Sequence, residues 1–387
     1  MKITRNISFE NFKQNYSLTK KRIELDLKKI NNEIINSLKP TYKYSYSKKL
    51  LKKYKKKFSI LRLIGMGGSI VGTKAIFSFL KDKIKKKIIF FDNLSSNFKV
   101  NQEKKILNII VSKSGNTLET ISNVNNLVKK NQKKIFIIEK NRSYLRNLAT
   151  KMKADIVDHN NFIGGRYSVL SEVGMLPACL MGLNEKKFKQ FNNLIKNKKF
   201  VNSLILNVSN ILFFVKRKKF NSIIINYDEK ADDIFRWYQQ LVGESLGKNQ
   251  KGIFPSVSLM PKDNHSLMQL YLDGPRKNFF TFFGVNERTS NKIISSTILQ
   301  SHNFIKHKKF SEILNAQKNA TKKVFLKNQI PFRSFEILNR NEEVLGELFT
   351  FFILETILIG KFLDVNPFDQ PAVEFIKKET KKILTNT

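Results

Sequence analysis

Residues 58–80 read FSILRLIGMGGSIVGTKAIFSFL. An apolar run at 58–64 ends at a glycine cluster, and the pattern of residues 73–80 is that of a helix. A strand that turns through glycines into a helix is the repeating unit of a parallel sheet with crossover helices. This stretch therefore predicts an α/β fold.

The same alternation continues along the chain in two sets. The strand-like runs of the first set lie at 87–91, 106–111 and 134–138. Those of the second set, which begins near Phe220, lie at 222–226, 253–259 and 279–285. A long helical pattern occupies 231–246, and residues 1–47 are polar and helix-like. The pattern predicts two α/β halves in one compact body, preceded by an N-terminal helical arm.

The composition is that of a globular protein from a reducing compartment. The chain has 387 residues, of which 41% are hydrophobic, so it can build more than one core. Its single cysteine, Cys179, excludes an intramolecular disulfide. The N-terminus has no apolar core of signal-peptide length. We expect a cytoplasmic protein.

The charge is strongly positive, with 71 Lys and Arg against 31 Asp and Glu and a formal net charge of +40. Such a balance favours anionic partners. However, the lysines occur in short runs along the whole chain, and no aromatic stacking motif is interleaved with them. This spread indicates a biased composition rather than one basic face, so we expect no nucleic-acid partner.

One segment, VLGELFTFFILETILIGKFL at 344–363, is long enough to span a bilayer. Glu347 and Glu355 would then lie in the hydrocarbon, which costs several kcal/mol. We interpret the segment as a buried helix of a large domain and expect no membrane association.

The segment 112–117, SKSGNT, follows the strand at 106–111 and precedes a helical pattern at 118–128. Hydroxyl and ammonium side chains converge here on one helix N-terminus, where backbone amides and the helix dipole favour an anion. A capped helix start needs only one such hydroxyl. The excess predicts a phosphate site formed by Ser112, Lys113, Ser114 and Thr117.

The glycine cluster at 65–69 has two interpretations. Gly68 and Ser69 lie at a helix start, where glycines allow a ligand to approach the backbone. A dinucleotide site is the rival, because Asp92 follows the next strand; however, Ile70 occupies the position of the third glycine of that motif. A plain tight turn is the third possibility.

Two further segments contain candidate site residues, an arginine in one and a carboxylate in the other. Arg166 follows the paired glycines 164 and 165, which suits close approach to an anion or a developing oxyanion. Arg236, Gln240 and Glu244 are spaced four residues apart in the helical pattern at 231–246, which puts them on one face. Taken alone, that face is better explained as a solvated surface.

His265 and Lys377 are isolated candidates. His265 follows the strand at 253–259, and none of the four histidines has the spacing of a metal ligand, so we expect no metal. Gln370 and Lys377 lie two turns apart, on one side of a helix that Pro371 begins. In this composition Lys377 is also compatible with an ordinary surface lysine.

Taken together and in this order, these segments resemble the glucose-6-phosphate isomerase (phosphoglucose isomerase) family. The resemblance runs from about residue 60 to residue 380. It implies two sugar-isomerase subdomains of flavodoxin-like α/β type with parallel sheets, plus terminal helices, a homodimer, and no metal or organic cofactor. The implied divisions are a helical arm at 1–47, subdomains at 48–198 and 199–365, and a C-terminal helix at 366–387.

The resemblance also implies a role for each residue in the reversible isomerisation of glucose 6-phosphate and fructose 6-phosphate. The residues that would hold the phosphate are Ser112, Lys113, Ser114 and Thr117. Those that would contact or position the sugar are Gly68, Ser69, Gly165, Gln240 and Gln370. Those that would carry the chemistry are Glu244 as the base, Arg166 beside the enediolate, and His265 and Lys377 in ring opening. In the family the histidine comes from the partner subunit; here Asp263 and Asn264 replace the Gly-Gln that precedes it in many relatives.

Three alternatives stay open at this point. One is a shorter isomerase that also accepts mannose 6-phosphate. Another is a non-catalytic sugar-phosphate regulator, although binding alone would not require Glu244, Arg166, His265 and Lys377 together. The third is a nicotinamide-dependent oxidoreductase.

Overall fold

The computed structural model describes residues 7–12, 17–94, 105–286, 290–294 and 297–386. Its nine described strands form two parallel sheets, with strand orders β2-β1-β3-β4-β5 and β7-β6-β8-β9. The strands of the first sheet are β1 Ile60–Ile64, β2 Lys87–Phe91, β3 Ile106–Val111, β4 Lys133–Ile138 and β5 Asp155–Asp158. Those of the second sheet are β6 Asn221–Asn226, β7 Phe254–Leu259, β8 Asn278–Val285 and β9 Phe332–Ile337. The expected α/β class with two parallel sheets is confirmed.

Helices cover both sheets and connect their strands. Up to the end of the first sheet the helices are α1 Ser17–Lys29, α2 Glu33–Leu38, α3 Lys48–Lys55, α4 Val71–Phe79, α5 Leu118–Leu127 and α6 Tyr144–Lys151. The helices that follow are α7 Glu172–Met181, α8 Phe191–Ile195, α9 Lys198–Lys216, α10 Asp232–Leu246, α11 Met268–Asp273, α12 Phe310–Lys327, α13 Glu342–Phe362 and α14 Val373–Asn386. The expectation of helices near both ends is confirmed by α1, α2 and α14.

The parallel register fixes which loops are neighbours. Ile64 of β1 lies opposite Ile110 of β3, so the glycine turn after β1 and the loop after β3 leave the sheet side by side. A Cβ atom on Gly65 would lie 2.9 Å from the carbonyl oxygen of Val111. The topology therefore brings the two expected binding loops to one edge of the first sheet.

Helix α13 is the buried centre of the molecule. Its residues from Val344 to Gly360 are buried, and it packs against α9 and α10. Glu355 forms a bidentate ion pair with Arg333 of β9, in which Nη2 and Oε2 are 3.0 Å apart. Both side chains are almost completely buried. Within the described residues no helix is long and apolar enough to cross a membrane.

Two strands have no counterpart among the expected runs. β5 has the sequence DIVD, in which aspartates flank only two apolar residues, and it is held by pairing with β4. β9 has the sequence FRSFEI, in which Arg333 interrupts the apolar pattern although it is buried. Pairing with β4 accounts for β5, and the ion pair with Glu355 accounts for the buried arginine of β9. Neither interaction can be inferred from the residues of the strand alone.

Candidate functional site

The loop at 112–117 has the compact shape that a helix N-terminus needs. It runs from the end of β3 to the start of α5, as expected. The Oγ atoms of Ser112 and Thr117 are 3.1 Å apart, and Ser114 Oγ accepts a hydrogen bond of 3.2 Å from the Asn116 amide. Gly115 adopts φ +65°, and a Cβ atom there would meet Ser143. The loop turns sharply and presents its hydroxyls together.

The ammonium group of this loop is balanced by a carboxylate. Lys113 Nζ lies 3.4 Å from Glu139 Oε1, and the Glu139 amide donates to the Lys113 carbonyl oxygen over 3.2 Å. His159, buried nearby, has a pKa lowered to about 4, first by burial and further by the charge of Lys113. The Lys113 side chain is 35% exposed, so an anion from solvent has access to this pair.

The glycine turn contacts the segment that carries Arg166. Gly68 and Ser69 end a single 3₁₀ turn, Gly67–Ser69, and a Cβ atom on Gly68 would lie 2.2 Å from the carbonyl carbon of Gly165. Gly67 has φ +52°, and a Cβ atom there would lie 3.1 Å from Gln240 Nε2. These contacts place the turn directly against α10.

Arg166 uses all five of its N–H donors inside the protein. Nε donates to Ser245 Oγ over 2.8 Å, and Nη1 donates to Glu244 Oε2 over 3.2 Å and to Gln370 Oε1 over 2.9 Å. Nη2 donates to the carbonyl oxygens of Pro367 over 2.7 Å and Asp369 over 2.9 Å. A guanidinium has five donors, so this buried cation is fully satisfied.

Glu244 lies between two donors in the last turn of α10. Its Oε1 accepts from Gln240 Nε2 over 2.7 Å, and its Oε2 accepts from Arg166. Its side chain is 29% exposed, whereas that of Arg166 is 2% exposed. Within the described residues, the buried Gln240 Oε1 has no hydrogen-bond partner. The Glu244 carboxylate, the Gln240 amide oxygen and the Arg166 guanidinium thus lie together beside the glycine turn. We call these three side chains the cluster around Arg166 and Glu244.

His265 and Lys377 lie apart from this cluster. His265 is exposed at the end of a 3₁₀ turn, Lys262–His265, after β7. Lys377 is exposed on α14 and pairs with Glu374, one turn earlier, over 2.6 Å. Within the described residues, no hydrogen bond or ion pair joins either side chain to Arg166 or Glu244. Their roles stay predictions.

Several residues that hold the cluster had no role in the sequence interpretation. Tyr167 donates to the Pro367 carbonyl oxygen over 3.0 Å and bonds Ser245 over 2.8 Å, and burial raises its pKa. Trp237 Nε1 donates to the Arg166 carbonyl oxygen over 3.0 Å. Lys248 pairs with Asp369 over 3.0 Å, which lowers the pKa of that carboxyl group. The only sequence signal was that each adjoins a candidate residue or motif.

We expect Gly68→Ala to destabilise the protein by about 1–3 kcal/mol, because the added methyl group would overlap the backbone at Gly165. Gly243→Ala is the matched control. It lies in α10 with no atom within 4 Å of the new Cβ position, and alanine should stabilise a helix there by about 0.5–1 kcal/mol. Urea unfolding of both variants measures the difference. Equal stabilities would contradict the close approach.

The chain is similar to known proteins of one family. The family model "Phosphoglucose isomerase" matches residues 48–387. The chain is 32% identical to the glucose-6-phosphate isomerase of Methanocaldococcus jannaschii, over 82% of each chain. It is 31% identical to that of Mycoplasmopsis pulmonis, over 85% of this chain and 84% of the relative.

Solved structures share the fold at lower identity. A hypothetical protein from Thermus thermophilus superposes with a TM-score of 0.79 at 21% identity, covering 95% of this chain and 94% of that one. A glucose-6-phosphate isomerase from Chlamydia trachomatis superposes with a TM-score of 0.68 at 18% identity, covering 99% of this chain and 81% of that one. The match to the family model and the sequence identities lead to one conclusion: the chain belongs to the phosphoglucose isomerase family.

Proposed function

We propose that this protein interconverts glucose 6-phosphate and fructose 6-phosphate by ring opening and a cis-enediolate intermediate. The observation that supports this proposal most is the Glu244 carboxylate, held by Gln240 on one oxygen and by Arg166 on the other. Aldose–ketose interconversion needs one base that collects and returns a proton, and a cation beside the oxygens that become negative. Both groups are present in one cluster.

The chemistry follows from these two groups. Glu244 would remove the proton from C2 of the open-chain aldose, and the electron pair would form the C1–C2 double bond while charge develops on the C1 oxygen. The proton of the C2 hydroxyl would pass to the C1 oxygen, and the same carboxylic acid would return its proton to C1 as the C2 carbonyl forms. Arg166 would stabilise the enediolate through Nη1, after one of its present bonds, to Glu244 or to Gln370, is exchanged for the substrate. The oxidation at C2 balances the reduction at C1, so the net reaction needs no external redox partner.

The remaining residues would bind and open the sugar. Hydroxyls and the ammonium of the loop at 112–117 would hold the phosphate through Ser112, Lys113, Ser114 and Thr117. Gly68, Ser69 and Gly165 would lie along the sugar, and Gln240 and Gln370 would orient its hydroxyls. His265 and Lys377 would assist ring opening. We further propose a cytoplasmic homodimer in which His265 reaches the partner's site.

A coupled assay tests the activity directly. Fructose 6-phosphate is supplied, and glucose 6-phosphate is detected as it forms; mannose 6-phosphate is detected separately. Formation of glucose 6-phosphate alone supports the proposal. Formation of both aldoses would assign the broader specificity, and formation of neither would refute the proposed isomerisation.

Glu244→Gln should lower kcat by about 10²–10⁴-fold, because an amide cannot accept the proton. The fold should persist, since the glutamine oxygen can still accept from Arg166. Asp232→Asn, in the first turn of the same helix, makes the same chemical change away from the cluster and should retain its turnover. Steady-state kinetics measures both variants, and near-normal turnover of Glu244→Gln would exclude this residue as the base.

The double variant Ser114→Ala/Thr117→Ala should raise KM for the sugar phosphate more than it lowers kcat, because the phosphate is bound alike in the ground and transition states. Ser122→Ala is the control, since its hydroxyl bonds the Leu118 carbonyl oxygen within α5. KM and kcat are measured for the wild type, the double variant and Ser122→Ala. An unchanged KM in the double variant would place the phosphate elsewhere.

Mixing two inactive variants tests whether His265 acts across a dimer. In a heterodimer of Glu244→Gln with His265→Ala, one site would carry both defects and the other neither. Random reassociation should therefore restore about a quarter of the wild-type turnover in a two-fold dimer. If His265 acts within its own chain, every site keeps one defect and no activity returns. Different affinity tags on the two variants, purified in succession from the mixture, confirm that heterodimers formed.

A further inference from the structure

A cavity of about 330 Å³ lies at the amino ends of β6, β8 and β9. Lys219 and Arg276 line it from the segments that precede β6 and β8. Asn328, Gln329 and Pro331 line it from the segment before β9. The glycine turn and the loop at 112–117 leave the carboxyl ends of strands in the other sheet, so this cavity is separate from the site described above.

The cationic side chains of this cavity lack acidic partners. Lys219 Nζ donates to the Arg276 carbonyl oxygen over 2.6 Å, which holds the ammonium beside the loop. In the part of the chain that the structure describes, no carboxylate forms an ion pair with either Lys219 or Arg276. Burial lowers the pKa of Lys219, and the charges of Arg276 and Lys277 lower it further. An anion would relieve this like-charge repulsion.

The other polar side chains of the cavity indicate which kind of anion it would bind. The side-chain amides of Asn278, Asn328 and Gln329 can donate hydrogen bonds, and among the described residues no aspartate or glutamate lines the cavity. Arginine and lysine together match the charge and the several acceptor oxygens of a phosphate group. The volume is near the lower end of the range for small-molecule sites, which favours a compact ligand over a polymer.

We propose that this cavity binds a small phosphorylated anion, independently of the cluster around Arg166 and Glu244. The run at 216–219, KRKK, is one of those whose spread along the chain suggested composition alone. Folding places Lys219 of that run against Arg276, which lies 57 residues away along the chain. The inference does not depend on the proposed isomerase activity.

Pyrophosphate is the probe, titrated calorimetrically at constant ionic strength into the Ser114→Ala/Thr117→Ala variant, in which the candidate phosphate loop is weakened. We expect a binding event that persists under these conditions. Lys219→Met/Arg276→Gln should weaken it at least about tenfold, because charge-assisted hydrogen bonds are lost. The same variant should retain wild-type turnover, which separates this test from that of the isomerase.

Lys216→Gln/Arg217→Gln is the matched control, since it removes two charges from the same run outside the cavity lining and should bind pyrophosphate as the wild type does. If the first double variant misfolds, Arg276→Gln alone replaces it, because that side chain is exposed. Absence of a binding event in the Ser114→Ala/Thr117→Ala chain would overturn the proposal. Equal weakening in both double variants would also overturn it, since it would show diffuse attraction to the basic surface.

Discussion

The candidate site depends on the hydrogen bonds of the buried Arg166 guanidinium. An isolated cation in a protein interior is strongly unfavourable, and this one is stabilised because all five donors are bonded. Its partners come from α10 and from the segment that follows α13, while Arg166 itself follows the first sheet. Removal of one partner would leave a buried donor unsatisfied, so the three segments hold one another in place.

The close approach of two glycines makes this arrangement possible. Gly68 and Gly165 meet backbone to backbone, and no side chain fits between them. That contact sets the glycine turn beside Arg166, and Gly67 leaves room for Gln240 in the same way. The packing thus gives a reason for glycine at these positions that does not depend on a sugar: the two backbone segments lie too close for a side chain.

Much of the fold could be predicted from local patterns, and the exceptions have physical causes. The strand and helix on either side of the loop at 112–117 follow from the apolar run at 106–111 and the helical pattern at 118–128, which depend only on neighbouring residues. β9 could not be predicted in that way, because Arg333 is tolerated there only through its bonds to Glu355, Thr281 and Asn207. The residue types of the site were visible in the sequence. The supports from Ser245 and Tyr167, and from the carbonyl oxygens of Pro367 and Asp369, depend on long-range packing and were not.

In the proposed mechanism, the guanidinium that holds the cluster together would also stabilise the charge of the intermediate, and its present partners differ in how easily they can be replaced. Nε and Nη2 bond buried groups or backbone carbonyls, whose loss would leave acceptors without partners. Nη1 bonds Glu244, a charged partner, and Gln370, a neutral and exposed one. Release of Gln370 costs the least, because water can satisfy its amide oxygen. Negative charge that develops near Nη1 therefore competes first with Gln370. In the proposed mechanism, the position of the Gln370 side chain and the charge in the site would thus be linked through Nη1.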